Sequence, residues 1–353
     1  MIIKTSEELI KENLIVKHLA GSYAYGTNIE TSDVDYRGIF VANPVNIRTP
    51  FFNVKEQKDV SEEDTVIYEL NQFMKLAIDC NPNVLESLHV DRQHIMFSTP
   101  AYELLRSHKQ ELLCSKIAFT TSGYGMAQLK RIKSHKKWIV NPQPKNSPKQ
   151  ISYVSLVHNF TPDKILKINI QDYYKNYRLV PYSGNTYGLY QMEGYTTYNI
   201  DTGNLNTTYD DNVHTDNVPL FVVKFNKDEF ETDHNKWTQY WDWKTNRNKI
   251  RGKLEEEFHF DTKNAMHLVR LMRIGEEVLT TGEYNVLRPD AEELLDIRNG
   301  KWTYDEIIKY ADDKDKYIRE VLYNKTDLPK YPNYKLAAKL IMEVQDMIWS
   351  NNG

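Results

Sequence analysis

The sequence predicts an α+β protein with a strand-containing N-terminal core, a β-rich insertion and a helical C-terminal unit. Three observations indicate this fold class. Apolar runs alternate with helical patterns over residues 1–100, residues 171–215 hold nine tyrosines among short alternating runs, and helical periodicity returns from about residue 250 to the end. With 353 residues, the chain is long enough for two or three structural units.

Strands and helices alternate in the predicted N-terminal core. Residues 5–13 predict a short helix, and the apolar run Leu14–Ala20 predicts a buried strand that ends at Gly21. Residues 35–41 and 64–68 predict the next two strands. Helices are predicted over residues 70–78, 83–90, 101–114 and about 120–139.

The rest of the chain divides by composition. Residues 141–150 contain three prolines and cannot form a regular helix, so they predict a loop or linker. We expect a core over residues 1–100, a helical connection over 101–140, a β-rich and aromatic insertion over 141–250, and a helical C-terminal domain over 251–353.

Bulk composition excludes several classes of protein. Cys80 and Cys114 are too few for a disulfide framework or a cysteine-built zinc site, and each is expected to be a small buried side chain. No apolar run approaches the roughly 20 residues of a membrane span, and the N-terminus lacks a secretory signal, so we expect a cytoplasmic protein without a membrane partner. The formal net charge of −4 excludes a uniformly basic surface but allows a local basic patch.

A motif of glycine, serine and aspartate follows the first predicted strand. Its form is GSxxxGxxxxxSDxD, with fixed positions at Gly21, Ser22, Gly26, Ser32, Asp33 and Asp35. A random match at a given start has odds of roughly 10⁻⁷. A surface hairpin with glycine at its turns is the plain structural alternative. The coincidence of all these positions favours a functional motif.

The spacing of the two aspartates points to a divalent metal. If this stretch is a strand, Asp33 and Asp35 project from the same face and place two carboxylates side by side. Their repulsion would raise their pKa values unless a cation compensates, and Mg²⁺ prefers carboxylate and phosphate oxygens. Two Mg²⁺ ions would clamp the attacking and leaving oxygens of an in-line displacement, which is nucleotidyl transfer. Gly21 and Ser22 would turn backbone N–H groups and a hydroxyl toward the triphosphate.

This motif resembles that of the DNA polymerase β superfamily of nucleotidyltransferases. The segments SDVDYRGIFV, DTVIYELNQFMKLAIDCNPNVLESL, KNAMHLVRL and LLDIRNG are similar to the predicted RNA-repair-associated nucleotidyltransferase family, over about residues 15–90 and 260–310. The resemblance implies a polymerase-β-type core, which is a short mixed sheet with flanking helices, and a helical companion. It also implies Mg²⁺, an NTP donor and a damaged RNA end as acceptor.

Enzymes of this superfamily usually carry a third carboxylate on the neighbouring strand, which completes a metal site or acts as general base. Asp64 and Glu69 are the candidates, and they lie on opposite faces of a regular strand, so only one can reach the site. The resemblance favours Asp64 as a metal ligand beside Asp33 and Asp35, because the third acid tends to precede the apolar strand residues. Glu69 is the catalytic alternative, or else caps the next helix. Glu86 fits an ordinary first-turn acid of a helix.

Four potential cations are candidates for binding the donor. Arg37 shares the face of the aspartate pair and would neutralise carboxylate or phosphate, although an ion pair with Asp35 fits equally well. Lys263, His267 and Arg270 fall at positions i, i+4 and i+7 of an apolar helix and share one face, which suits a triphosphate. Solvated helix faces carry such stripes as well.

Two stretches are candidates for binding RNA. The first is basic and holds Lys130, Arg131, Lys133, Lys136 and Lys137. The second, residues 237–249 from Trp237 to Lys249, interleaves aromatic and cationic side chains, which suits base stacking and phosphate contact. Aromatic residues with this spacing also build buried helix faces, so both interpretations stay open.

Together these features predict an enzyme, a Mg²⁺-dependent nucleotidyltransferase that moves an NMP from an NTP to an RNA 3′ end and releases pyrophosphate. Protein AMPylation and nucleotidylation of a small molecule keep the chemistry and change the acceptor. A non-catalytic nucleotide-binding regulator is the alternative of another class. Intact Asp33 and Asp35 count against it, because paired carboxylates are costly to keep without a metal.

Overall fold

The computed structural model describes residues 6–51, 54, 57–58, 64–160, 167–207, 218–247 and 249–350. The chain divides into two compact units. One comprises the residues up to Ile139 together with those from Ile250 onward, and the other runs from Val140 to Lys249. The division into four parts made from composition stays a prediction.

The first unit is built on a mixed sheet. Its strands lie in the order β3 (Gln57–Lys58), β4 (Thr65–Glu69), β2 (Asp35–Phe40), β1 (Leu14–Ala20) and β5 (Ile95–Ser98), and β2 pairs antiparallel with β1 and parallel with β4. The predicted α+β class, with a short mixed sheet and flanking helices, is therefore confirmed. The elements are α1 (Ser6–Asn13), β1 (Leu14–Ala20), α2 (Gly21–Tyr25), β2 (Asp35–Phe40), α3 (Pro44–Arg48), β3 (Gln57–Lys58), β4 (Thr65–Glu69), α4 (Leu70–Ile78), α5 (Pro82–His89), β5 (Ile95–Ser98), α6 (Pro100–Ser107) and α7 (Ile117–Val140).

Side-chain caps set the first residues of the helices that follow the strands. The Glu69 carboxylate accepts a hydrogen bond from the Asn71 backbone N–H at the start of α4, and the Asn81 side chain accepts one at the start of α5. Such caps satisfy backbone donors that lack partners within the helix. The capping role considered for Glu69 is thus confirmed.

Helix α6 is shorter than its sequence pattern predicts. The prediction of a helix over residues 101–114 is wrong beyond Ser107. There the backbone N–H groups of His108 and Lys109 bond to carbonyls three residues back, which ends the α-helix in a series of turns. Leu112 and Leu113 are buried within those turns, so apolar spacing alone imitates a helix.

The second unit contains a four-stranded antiparallel sheet in the order β6 (Val154–Asn159), β9 (Phe221–Phe225), β8 (Thr186–Thr196) and β7 (Lys175–Pro181). Its small core includes Leu179, Leu189, Phe221 and Val223. The β-rich segment expected from the tyrosine-rich composition is therefore present. The elements are β6 (Val154–Asn159), β7 (Lys175–Pro181), β8 (Thr186–Thr196), β9 (Phe221–Phe225) and α8 (Lys227–Asn246).

The C-terminal part of the first unit is helical, as predicted. Helix α10 (Thr262–Thr281) packs against α11 (Ala291–Arg298) and α12 (Tyr304–Lys316), and α14 (Tyr334–Ser350) packs against α4 and α6. Among the described helices, none combines the length and the apolar character needed to cross a lipid bilayer. The elements are α9 (Lys249–Phe258), α10 (Thr262–Thr281), α11 (Ala291–Arg298), α12 (Tyr304–Lys316), a π-helix (Tyr317–Leu322), α13 (Tyr323–Lys325) and α14 (Tyr334–Ser350).

Glycines allow α7 and α10 to pack closely. A Cβ atom on Gly125 of α7 would press on the side chain of Met272 in α10, and a Cβ atom on Gly275 of α10 would overlap Thr121 of α7. Both helices bury apolar side chains in the main core of the first unit. Their close approach matters for function, because both helices line the same cavity.

The two cysteines lie in that main core. Cys80 and Cys114 are fully buried, with their Sγ atoms 3.5 Å apart. The expectation that each is a small buried side chain is confirmed.

Candidate functional site

Gly21 and Ser22, which we call the glycine–serine step, lie directly against the strand that carries Asp35. Strand β1 ends at Ala20, which pairs with Asp35 across the sheet, and the chain turns into α2 at Gly21. Gly21 has φ of +58°, which favours glycine, and a Cβ atom there would overlap the Asp35 carboxylate. Gly21 and the neighbouring Ser22 therefore lie beside this carboxylate. The predicted glycine turn is in fact the first turn of a short helix.

The three predicted metal ligands gather at one end of the sheet. Burial raises the pKa of Asp35 above its ordinary value, and the negative charge of Asp64 raises it further. Arg37 and Lys263 lower this pKa, whereas Asp33 adds to the rise. Both other acids are therefore close enough to act on Asp35 electrostatically.

Asp33 does not reach this position as a strand residue. Strand β2 begins at Asp35, and Asp33 lies exposed in the preceding loop. The condition that this stretch is a strand is therefore met at Asp35 and not at Asp33, and the placement of both carboxylates on one face stays a prediction. A tight turn precedes the strand instead, in which the Ser32 hydroxyl accepts a hydrogen bond from the Ile29 backbone N–H at 2.9 Å. Ser32 thereby stabilises the loop that carries Asp33.

Asp64 and Glu69 lie at opposite ends of strand β4. Because β4 runs parallel to β2, Thr65 pairs with Tyr36 and Glu69 pairs with Phe40. Asp64 therefore lies beside the first residues of β2, whereas five strand residues put Glu69 roughly 16 Å from Asp35 along the sheet. Asp64 has φ of +57°, so strand β4 begins one residue later than predicted. These positions favour Asp64 as the third carboxylate.

Arg37 is bound to Glu86. Its Nη1 atom donates to Oε2 of Glu86 at 2.8 Å and to the backbone oxygen of Asn83 at 2.5 Å. The ion pair of Arg37 is thus with Glu86, and the alternative pairing with Asp35 is corrected. Arg37 still lowers the pKa of Asp35, so its positive charge acts on one member of the acidic cluster, which we define as Asp33, Asp35 and Asp64.

Glu86 is the residue that the sequence interpretation underrated. The carboxylate is buried, and it accepts hydrogen bonds from Tyr25, Arg37 and Arg270. The reading of Glu86 as an ordinary first-turn acid is wrong. A signal existed in the sequence, because Glu86 stands among Val84, Leu85 and Leu88 on a short helix, where an unpaired charge is costly.

A cavity of about 780 Å³ opens between α7 and α10. The predicted cationic face of α10 lines it, with Lys263, His267 and Arg270 all among its walls. Lys263 also acts on Asp35, which connects the cavity to the acidic cluster. The placement of the three cations on one face is observed, and a triphosphate role for them stays a prediction.

The opposite wall of the cavity was not anticipated. Helix α7 contributes Phe119, Tyr124, Gln128 and Arg131 to the lining. Phe119 and Tyr124 are exposed aromatic side chains, which can stack on a flat ring. The two residues are five positions apart on α7, so no single helical face in the sequence pairs them, and the position of α10 shows that both line a cavity.

The donor set suits a hard divalent cation. Asp33, Asp35 and Asp64 offer carboxylate oxygens, which Mg²⁺ prefers. Burial raises the pKa of Asp35 most, and repulsion by the other two carboxylates raises this pKa further. A bound cation would relieve that repulsion. The residues present therefore fit the metal that the motif implies.

A second group of possible metal ligands lies elsewhere in the first unit. Among the described residues, ligand atoms of His135, Glu255 and Asp261 all lie within 4.8 Å of one another. Asp261 caps α10 by accepting a hydrogen bond from the Asn264 backbone N–H, and its carboxylate lies 3.0 Å from Nδ1 of His135. Capping and this contact account for the position of Asp261.

The two predicted RNA-binding stretches have different surroundings. On α7, Lys130, Lys133 and Lys137 are exposed and line a shallow groove of about 460 Å³. On α8, the indole N–H groups of Trp237 and Trp241 both donate to the backbone oxygen of Pro144 at 2.9 Å.

Other residues of the α8 stretch are tied to the second unit itself. Tyr240 is buried, so the aromatic residues partly form a packed helix face. The guanidinium of Arg247 lies over the ring of Trp243, 4.8 Å from its centroid. Asn248 lies outside the described residues.

Comparison with known proteins finds one relative and one family model, each of which matches less than half of the chain. A relative in Enterobacteria phage T4, an uncharacterized 38.9 kDa protein in the nrdC-mobD intergenic region, is 34% identical over 95 residues. That match covers 24% of this chain and 28% of the phage protein. No solved structure matches the chain. The family model of the RNA repair pathway DNA polymerase beta family matches residues 3–154, and the resemblance predicted from the motif is thereby confirmed over this part of the chain.

Proposed function

We propose that this protein is a metal-dependent nucleotidyltransferase that transfers an NMP from an NTP to the 3′ hydroxyl of an RNA. One observation carries the proposal most directly. Lys263 lines the cavity and also lowers the pKa of Asp35, so a cavity large enough for a nucleotide adjoins the acidic cluster. The match to an RNA repair pathway family supports RNA as the acceptor.

Asp33, Asp35 and Asp64 would hold Mg²⁺. When bound, the metal supplies positive charge that stabilises the attacking and leaving oxygens of the displacement. Gly21 lets the main chain approach the same point, because no side chain stands between it and Asp35. Other residues of the chain have to place the donor.

The cations of the cavity would bind the triphosphate. Lys263, His267 and Arg270 present positive or protonatable groups along one wall. Phe119 and Tyr124 on the opposite wall would stack on the base. The α-phosphorus is then held near the acidic cluster, and the leaving diphosphate stays near the cations.

The transfer step is a single displacement at phosphorus. The hydroxyl oxygen of the acceptor forms a bond to the α-phosphorus, and the bond from that phosphorus to the oxygen bridging to the β-phosphorus breaks. Pyrophosphate leaves with the electron pair of the broken bond. The Asp64 carboxylate accepts the proton of the attacking hydroxyl.

A labelling experiment tests this function. The protein is incubated with Mg²⁺ and each α-labelled NTP in turn, together with total RNA or with total protein. We expect label on RNA, and its loss in Asp33→Ala. Label that appears on protein and never on RNA would replace the acceptor by a protein hydroxyl. Absence of transfer to any acceptor, together with no NTP binding, would contradict the proposal that this protein is a nucleotidyltransferase.

A further inference from the structure

Glu86 lies where three elements of the candidate site meet. Its Oε2 atom accepts hydrogen bonds from Tyr25 of α2 and Arg37 of β2, and its Oε1 atom accepts one from Arg270 of α10. Each of these three distances is 2.8 Å. One carboxylate therefore joins the helix of the glycine–serine step, the strand of Asp35 and the cationic helix of the cavity.

Each guanidinium in this network has a second contact that fixes its direction. Arg270 lies over the ring of Tyr25, 3.6 Å from the ring centroid, and Arg37 also donates to the backbone oxygen of Asn83. A planar guanidinium held at two points has little freedom to rotate. The network thus orients both arginines as well as binding them.

The network carries one positive charge in excess. Arg37 and Arg270 surround the single negative charge of Glu86, and all three side chains are largely buried. Burial would raise the pKa of Glu86, but Arg270 and Arg37 hold it below its ordinary value, so the carboxylate is ionised. Within the described residues, the buried Nε atom of Arg270 has no hydrogen-bond partner.

That excess charge borders the cavity, because Tyr25 and Arg270 are among its lining residues. A buried cation that is only partly compensated favours an anion next to it. The triphosphate of the proposed donor is such an anion. Burial also strengthens the attraction, since water screens it less there than at the surface.

We infer that Glu86 is a positioning residue of the donor site, which holds Arg37 beside Asp35 and Arg270 in the cavity wall. The inference rests on the proposed function, because the triphosphate of an NTP is the ligand that these cations meet. Glu86 touches neither the donor nor the reacting atoms. Its effect passes through the two arginines.

A matched pair of variants separates positioning from general stability. Glu86→Gln keeps the size of the side chain and removes its charge. Glu277→Gln does the same to another carboxylate of the first unit, whose partner Arg288 is also buried. Both variants weaken the bond between a carboxylate and a buried arginine, but only Glu86 binds an arginine of the cavity wall, which is Arg270.

The first readout needs no ligand. In the intact protein, the side-chain Nε–H resonances of Arg37 and Arg270 are expected to be sharp and dispersed in NMR spectra. Glu86→Gln should broaden them or move them toward free-arginine positions, and should leave Arg288 unchanged. Glu277→Gln should do the reverse. Unchanged Arg37 and Arg270 signals in Glu86→Gln would overturn the inference.

The second readout is affinity. Binding of Mg·ATP and of inorganic tripolyphosphate is measured by calorimetry at a temperature well below unfolding of each variant. Loss of an oriented charge-assisted contact predicts roughly tenfold weaker binding in Glu86→Gln. Glu277→Gln should bind as the natural protein does. Equal loss of thermal stability in both variants, with unchanged affinity in Glu86→Gln, would show that Glu86 has only a structural role.

A third variant covers the case in which Glu86→Gln does not fold. Glu86→Asp keeps the charge and draws the carboxylate back by one methylene, so we expect it to fold with the arginines displaced and ligand binding weakened. Natural affinity in a folded Glu86→Asp would contradict positioning. If the natural protein binds neither ligand, the proposed function fails, and the arginine resonances still decide the role of Glu86.

Discussion

The carboxylate of Asp35 occupies the space that any side chain at position 21 would need, so Gly21 and Asp35 fit together as a pair. The two residues lie 14 positions apart in the sequence and meet because Ala20 pairs with Asp35 across the sheet. Glycine is required here twice over, by its positive φ and by this contact. Gly184, Gly194 and Gly282 also have positive φ, but a Cβ atom there would meet nothing within 4 Å, so they face only the first requirement.

Replacement of Gly21 by alanine should therefore abolish transfer. Gly21→Ala forces the Asp35 carboxylate away from Asp33 and Asp64, and we expect a loss of at least roughly 100-fold in NMP incorporation. Gly282→Ala is the matched control, because Gly282 also has positive φ but a Cβ there meets nothing within 4 Å. Gly282→Ala should lose about 1 kcal/mol of stability in urea unfolding, and Gly21→Ala should lose more because its Cβ atom also overlaps Asp35. Equal activity in the two variants would contradict the role of this contact.

The two candidates for third carboxylate should behave differently when neutralised. Asp64→Asn should lose transfer with little change in stability, because Asp64 is exposed and acts on Asp35. Glu69→Gln should keep transfer and lose about 1 kcal/mol of stability, because Glu69 caps α4. Labelled NMP incorporation and thermal unfolding of both variants check this. The opposite pattern would make Glu69 the catalytic acid.

Lys263 should govern affinity for the donor. Lys263→Met keeps the length of the side chain and removes its charge from the cavity wall, so binding of Mg·ATP should weaken roughly tenfold. Lys309→Met, on an exposed position of α12, serves as the control. Calorimetric titration measures both. Unchanged binding in Lys263→Met would remove this lysine from the donor site.

The exposed lysines of α7 should contribute to RNA affinity without base preference. Lys133→Ala and Lys137→Ala remove cations from the groove beside the cavity. For single-stranded RNA, each lost phosphate contact should reduce the slope of log K against log salt by about 0.7. Lys335→Ala, an exposed position of α14, should leave the slope unchanged. Fluorescence anisotropy across a salt series measures these slopes. An unchanged slope in the α7 variants would contradict a role of these lysines in RNA binding.

Two buried histidines should make the protein sensitive to mild acid. Burial lowers the pKa of His18 from 6.5 to about 4 and that of His89 to about 3. Between pH 6.5 and 4, the unfolded chain takes up protons that the folded chain does not, so the free energy of unfolding falls as pH falls. In this range, each histidine changes the free energy of unfolding by about 1.4 kcal/mol per pH unit.

His89→Phe tests this acid sensitivity. His89 stacks on Tyr284 in the core, so phenylalanine can take its place with modest repacking. The variant should lack the part of the pH dependence of the unfolding free energy that His89 contributes. The difference in stability between the variant and the natural protein should therefore favour the variant more at pH 5 than at pH 7. Urea unfolding at several pH values measures this difference. Parallel curves for the two proteins would rule out His89 as a source of acid sensitivity.

The sequence predicts the residues that belong to local motifs of this site better than the contacts between distant elements. Gly21, Asp35 and the spacing of Lys263 and Arg270 follow from local motif and helix periodicity, which short stretches of sequence determine. The partner of Arg37 does not, because Glu86 lies 49 positions away and the register that joins them depends on the tertiary packing of α5.

Two further differences have local causes that periodicity does not encode. Asp33 precedes the strand because the turn closed by Ser32 sets its position. Phe119 and Tyr124 are five positions apart on α7 and share no single helical face, and the position of α10 decides that they line a cavity. Patterns in sequence report which side of a helix is apolar, but they do not report what lies opposite.

The bond between Arg270 and Glu86 spans 184 positions of the chain, and this separation has a consequence for biosynthesis. A ribosome delivers β2, α5 and the acidic cluster long before it delivers α10. During that interval Arg37 is the only arginine of the network available to Glu86. Long-range contacts of this kind form late and slow the folding of a chain. A truncated polypeptide that ends before α10 would therefore carry every acidic residue of the site and still lack a formed donor pocket.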